Sequence, residues 1–182
     1  MPDHMEDRLN MPLGEVLPLI QAGIMANTSY FGVKTLKSPT DAWVYQELLY
    51  EMQPDVIVEI GNKYGGSALY FAHLFDILGK GRLIGVDINH KIVHSKVKRH
   101  PRITFIDGDA CASAESVERL ISPGERVLVI EDSSHTHDNT LAVLRRYSHM
   151  TRLGDYFIVE DSICHHGLDT GPKPGPYEAI ED

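Results

Sequence analysis

The chain has 182 residues, 42% of them hydrophobic and 24% charged, which is enough for one domain with a sizeable core and excludes disordered, collagen-like and membrane classes. Its 26 acidic against 17 basic side chains give a formal charge of -9, so the surface repels phosphate backbones and anionic lipids and argues against nucleic acid or a membrane as partner. Cys111 and Cys164 are too few for a disulfide scaffold and lack CxxC spacing, and no secretory or membrane-length apolar run is present, which together point to the cytoplasm.

Residues 1–35 mix Pro, Gly and Met without sustained periodicity and read as an irregular N-terminal arm or partial lid. Ser38-Pro39-Thr40-Asp41 predicts an N-cap with proline in the first turn of a helix running through Tyr50, which Pro54 closes. Residues 36–182 then read as one Rossmann-like unit. Short β-branched runs alternate with longer helical stretches, the pattern of βαβ units and a parallel sheet. Strands are predicted at Val56–Ile60, Arg82–Val86, Ile103–Ile106, Val127–Ile130 and Tyr156–Val159, with helices over 66–78, 90–97, 113–121 and 137–150. Their near-continuous apolar character suits strands covered on both faces. A Gly/Pro-rich loop over 165–176 precedes the start of a further helix at Tyr177, and the chain ends inside that element.

In an open parallel sheet, ligands bind outside the carboxyl ends of the strands. All five predicted strands end in an acidic residue or run into one: Glu59, Asp87, Asp109, Glu131-Asp132 and Glu160-Asp161. After the first strand comes Glu59-Ile60-Gly61-Asn62-Lys63-Tyr64-Gly65-Gly66-Ser67, a glycine-rich turn opening a helix whose N-terminus suits a carboxylate. The spacing is Glu-x-Gly-x-x-x-Gly, which favours the methionine end of S-adenosylmethionine over a dinucleotide pyrophosphate. Glu59, Gly61, Tyr64, Gly65 and Ser67 are the candidate contacts there; a merely tight strand-to-helix turn is the plainer alternative. Asp87 sits where an acid can accept from ribose hydroxyls, and Asp109 with Ala110 where the adenine ring would lie.

Asp132, Glu160 and Asp161 would meet on neighbouring strands. Such crowding is unfavourable unless a metal or cationic side chains neutralise it, and an all-oxygen set suits Mg²⁺ or another hard divalent ion. His135, three residues beyond Asp132, is placed to take a proton from substrate, although a loop histidine is often a cap. His137, His165 and His166 form a weaker imidazole cluster better read as solvated.

These blocks resemble the cephalosporin hydroxylase and rhamnosyl O-methyltransferase family of class I S-adenosylmethionine-dependent methyltransferases. The resemblance runs from about Tyr30 to Tyr177 through Leu36-Lys37-Ser38-Pro39-Thr40-Asp41, Val58-Glu59-Ile60-Gly61 with Gly65-Gly66-Ser67, Gly85-Val86-Asp87, Gly108-Asp109, Asp132-Ser133-Ser134-His135 and Gly154-Asp155-Tyr156-Phe157-Ile158-Val159-Glu160-Asp161. It implies a three-layer α/β sandwich with a mostly parallel sheet. It also implies S-adenosylmethionine contacts from Glu59, Gly61, Gly65, Ser67, Asp87 and Asp109, and magnesium ligation by Asp132, Glu160 and Asp161. Catechol-type methyltransferases are similar in placing a basic side chain where His135 stands. The last antiparallel strands of that fold are missing after Asp182, so the resemblance implies a C-terminally truncated domain. The expected function is metal-assisted methyl transfer to a hydroxyl of a small molecule, sugar or natural product, with self-association a further family expectation. Two rivals stay open. One is an NAD-dependent oxidoreductase, which leaves the acids on strands four and five unexplained; the other is an inactive cofactor-binding module of the same fold.

Overall fold

The structure, a computed structural model, describes residues 10–182. In chain order its elements are α1 (Leu13–Asn27), the short strands β1 (Ser29–Tyr30) and β2 (Val33–Lys34), α2 (Pro39–Met52), β3 (Val56–Ile60), α3 (Gly66–Leu78), β4 (Arg82–Asp87), α4 (Ser95–Lys98), β5 (Ile103–Asp107), α5 (Ala110–Glu118), β6 (Val127–Glu131), α6 (His137–Tyr147), a 3-10 turn (Ser148–Met150), β7 (Phe157–Val159) and α7 (Pro176–Glu181). The main sheet has the order β5-β4-β3-β6-β7 with every pairing parallel. Strand order reverses at β3, between β4 and β6, so the crevice for a ligand lies at the carboxyl ends of these strands.

Side chains alternate across the sheet with period two, and each face has its own core. Ile57, Leu83, Leu128 and Ile130 pack with Tyr45, Leu49 and Met52 of α2 and with Leu69, Phe71 and Phe75 of α3. Val56, Val58, Ile60, Ile84, Val86, Val127 and Val129 pack with Ala114 and Val117 of α5 and Val143 and Tyr147 of α6. The same parity sends Glu59 toward α2 and α3 and Glu131 toward α5 and α6, and both are fully buried.

Several boundaries differ from those the sequence predicts. Within the arm expected to be irregular, α1 forms a helix of 15 residues with Pro18 inside it and no residue fully buried; Gly14, Pro18 and Gly23 hide its period. The first nine residues of that arm lie outside the described residues. Ser38 does take the N-cap position of α2, with Pro39 next, but its hydroxyl bonds Thr40 Oγ1 at 2.6 Å rather than a backbone N–H. The helix expected over 90–97 shrinks to Ser95–Lys98 because residues 88–94 form a loop that buries His90. The helix expected from 113 starts at Ala110, since Asp109 caps it by accepting from the Ala112 N–H at 2.9 Å. Among the described residues no helix is long and apolar enough to cross a membrane.

Candidate active site

The carboxyl ends of β3, β4, β5, β6 and β7 open into one cleft of about 1260 Å³, walled on its far side by Leu17, Ile20 and Ile24 of α1 and by Val44 and Leu48 of α2. The β1–β2 hairpin turns through Phe31 and Gly32, both at positive φ, and its exit carries Thr35, Leu36 and Lys37 onto the cleft wall.

Of the residues singled out in the sequence, Gly61, Ser67, Asp87, Asp109 and Ala110 line this cleft. Gly61 has φ +91, and a Cβ there would lie 2.0 Å from the Asp132 carbonyl oxygen, so only glycine lets β3 and β6 close at their tips. Asp87 Oδ2 accepts from the backbone N–H groups of Asn62 and Lys63, each at 2.9 Å, which ties the glycine turn to the end of β4. Three expected contacts stand behind the wall instead. Glu59 is 0% exposed and takes the Asn62 amide at 2.6 Å on Oε2, while its Oε1 has no partner. Burial, against the pull of Lys37, pushes this carboxyl up to about 7. Tyr64 presents its ring to the ammonium groups of Lys34 and Lys63, 5.2 and 5.9 Å from the centroid. Gly65 opens α3 and packs on Val93 and Val97.

The acids of β6 and β7 do converge, around a cation that the spacing could not show. Lys37 is buried, its Nζ 2.5 Å from Asp132 Oδ2 and in closer contact still with Glu160 Oε1. Tyr45 Oη donates to the same Glu160 oxygen at 2.5 Å. Burial disfavours the charged ammonium, but Asp132, Glu160 and Glu59 outweigh it and hold the Lys37 pKa above its ordinary value. Burial pushes the Asp132 carboxyl up, against the pull of Lys37 and together with the push of Glu160. Lys37 belongs to the Leu36–Asp41 block, where its spacing assigns it no role; the crowding of three acids is the sequence signal that points to a cationic side chain.

Expected as a set, Asp132, Glu160 and Asp161 are therefore divided. Ligand atoms of Asp132, His135 and Asp161 lie within 4.8 Å of one another, a carboxylate and imidazole group that fits a divalent ion. Glu160 falls outside that group and faces Lys37 and Tyr45. His135 Nδ1 is 3.3 Å from Asp161 Oδ2, and both residues have φ +57, a strained backbone of the kind that collects at functional sites. The other histidines are committed elsewhere: His137 to Asp138 and Asp182, His165 to Asp169, and His166 to Glu178.

Residues 22–182 match the family model described as Rhamnosyl O-methyltransferase/CmcI. The rhamnosyl O-methyltransferase of Mycobacterium tuberculosis (strain ATCC 25618 / H37Rv) is 38% identical over 164 residues, covering 87% of this chain and 66% of the relative. That of Mycobacterium leprae (strain TN) is 39% identical over 161 residues, covering 85% of this chain and 69% of its own length. This chain thus spans about two thirds of the length of the curated relatives it matches. A solved cmcI structure with Mg and SAM superimposes with TM-score 0.67 at 29% identity, over 85% of this chain and 63% of the other. An O-methyltransferase from Bacillus cereus in complex with SAH shares the fold, with TM-score 0.62 at 20% identity over 96% of this chain and 79% of that one.

Proposed function

The chain belongs to the Rhamnosyl O-methyltransferase/CmcI family, and on that premise we propose that it is an S-adenosylmethionine-dependent, divalent-metal-assisted O-methyltransferase acting on a hydroxyl of a small-molecule, sugar or natural-product acceptor. The observation that carries this reading is the opening of the glycine turn, the strand-end acids and the Asp132–Asp161 group into one cleft.

The cofactor would lie with its methionine end at Gly61 and Ser67, its ribose at Asp87 and its adenine beside Asp109 and Ala110. Glu59, Tyr64 and Gly65 support the turn from behind. The carboxylates of Asp87 and Asp109 on the cleft wall fit a site made to receive a positively charged ligand with hydroxyl donors. Asp132, His135 and Asp161 are the residues that would hold Mg²⁺ or another divalent ion, which when bound supplies Lewis acidity that lowers the pKa of an acceptor hydroxyl. Lys37 and Tyr45 keep Glu160 in place, and apolar side chains of α1 and α2 line the acceptor side. S-adenosylmethionine, when bound, would supply an activated methyl carbon open to in-line attack by the acceptor oxygen, the O–CH₃ bond forming as the S–CH₃ bond breaks with its electron pair left on sulfur. The protein's main contribution is alignment.

A second role for His135 is favoured by its 3.3 Å contact with Asp161 Oδ2. In that role, taken in place of metal ligation, the ring faces Asp161 through Nδ1 and Nε2 is the acceptor for the proton the hydroxyl gives up. The test of the function is transfer of a labelled methyl group from S-adenosylmethionine to a panel of hydroxylated acceptors, with and without chelator. Labelled product that disappears with EDTA is expected. Calorimetric binding of NADH, with none of S-adenosylmethionine or its demethylated product, overturns the reading in favour of an oxidoreductase.

A further inference from the structure

Behind the glycine turn runs a line of polar side chains that the chemistry above does not use. His90, in the loop between β4 and α4, is 5% exposed and its ring lies on Phe105 with centroids 4.2 Å apart. Its Nδ1 is 2.5 Å from Asp107 Oδ1 and its Nε2 is 2.9 Å from Asn62 Oδ1. Asn62, 3% exposed, is oriented by its other end, where Nδ2 donates to the Glu59 carbonyl at 3.3 Å and to Glu59 Oε2 at 2.6 Å. Opposite this amide β4 carries Gly85, where a Cβ would stand 2.6 Å from Asn62 Oδ1 and 2.7 Å from the Phe105 ring. The strand leaves room for the amide by having no side chain there.

Donor counting sets the state of the ring. An amide oxygen only accepts, and so does an ionised carboxylate. With the Asn62 NH₂ on Glu59, both His90 nitrogens face acceptors, and a ring with one N–H serves only one of them. Reversing the amide would turn its oxygen toward the Glu59 backbone carbonyl, which only accepts and now takes Nδ2–H at 3.3 Å. The contact that orients the amide is satisfied when Nε2 carries hydrogen and donates to Asn62 Oδ1. The charged groups around it are Asp107 and, beyond that, Lys98 of α4, Glu59 across the amide, and Asp87, whose Oδ2 holds the Asn62 and Lys63 N–H groups.

Resting on the reading of the cleft as a cofactor site, we propose that His90 is a positioning residue for it: a ring held by Asp107 and Phe105 and donating from Nε2 locks the Asn62 amide, and through it Glu59 and the Gly61–Lys63 turn. Two readouts on the full chain test this. In a ¹⁵N spectrum of the wild-type histidine rings near neutral pH, the His90 Nε2 is expected to carry hydrogen; an unprotonated Nε2 overturns the proposal even if no variant folds. In calorimetric titration with S-adenosylhomocysteine, His90→Phe keeps the stack on Phe105 but donates nothing, and roughly tenfold weaker binding is expected from the loss of a buried hydrogen bond. Partial rescue is expected in His90→Gln, which retains a donor. Wild-type binding matched by His90→Phe overturns the proposal alone, whereas a wild type that does not bind S-adenosylhomocysteine overturns the cofactor reading and this proposal with it.

Discussion

Lys37 and Asp132 are 95 residues apart in the chain and 2.5 Å apart in space, Nζ against Oδ2. The same ammonium reaches Glu160, so one buried charge joins the segment before α2 to the tips of β6 and β7. Removing one member of a buried ion pair leaves its partners uncompensated, at a cost of about 3–5 kcal/mol. Lys37→Met is expected to lose stability on that scale in denaturant unfolding. Adding Glu160→Gln to it removes one of the stranded charges and should recover part of the loss, a non-additivity expected of groups in contact.

The division of the acids makes a second prediction. If the divalent site is Asp132, His135 and Asp161, Mn²⁺ titration followed by calorimetry should show Asp161→Asn and His135→Ala weakened by tenfold or more, in line with the loss of a ligand. Glu160→Gln should change Mn²⁺ affinity far less. Unchanged Mn²⁺ affinity in His135→Ala, combined with lost methyl transfer, would assign His135 to proton removal instead.

The parallel sheet and its strand-end acids were legible because buried strands and glycine turns write themselves into local sequence. Val56–Ile60 and Gly61–Ser67 announce a strand, a turn and a helix within a dozen residues. What stayed hidden is non-local. The Lys37 cation comes from outside the βαβ pattern, and the His90–Asn62 contact spans 28 residues, so no spacing rule reaches either. Asp109 was legible as a strand-end acid, but its cap to Ala112 shows that a residue on the cleft wall can also be needed to start the helix. Helix α1 went unread because Gly and Pro interrupt it and its apolar residues face a cleft rather than a filled core.

Glu131 gives a pH prediction that does not involve the acid cluster. Its carboxyl is 2% exposed on the α5 and α6 face, accepts from Ser133 Oγ and Asn139 Nδ2 on Oε1, and has no partner on Oε2. Burial, against those hydrogen bonds, pushes it up to about 7 from an ordinary 4.5. With the folded value raised, the folded state holds this proton more tightly than the unfolded chain does. The contribution is fully present below pH 4.5 and is lost as pH rises through about 7, on the order of 3 kcal/mol. Unfolding free energies measured between pH 5 and 8 should fall with pH in the wild type. In Glu131→Gln the fall should be shallower, leaving the shares of Glu59 and Asp132, which are raised in the same direction.

Gly61 tests whether the closure of β3 on β6 builds the site. Alanine there meets two penalties: a φ of +91, and a Cβ 2.0 Å from the Asp132 carbonyl oxygen, with the carbonyl carbon 2.7 Å away. Because both atoms are backbone, relief requires the end of β6 to move, and Asp132 moves with it. Gly124 provides the control, with a similar φ of +94 and nothing within 4 Å of a Cβ. Gly124→Ala should cost only the backbone strain, about 1 kcal/mol. Gly61→Ala should cost at least about 2 kcal/mol more and should also weaken Mn²⁺ binding, which strain in a remote turn would leave alone. Equal losses in the two variants, with Mn²⁺ affinity intact in both, would mean that the Gly61–Asp132 contact does not position the metal-binding acids.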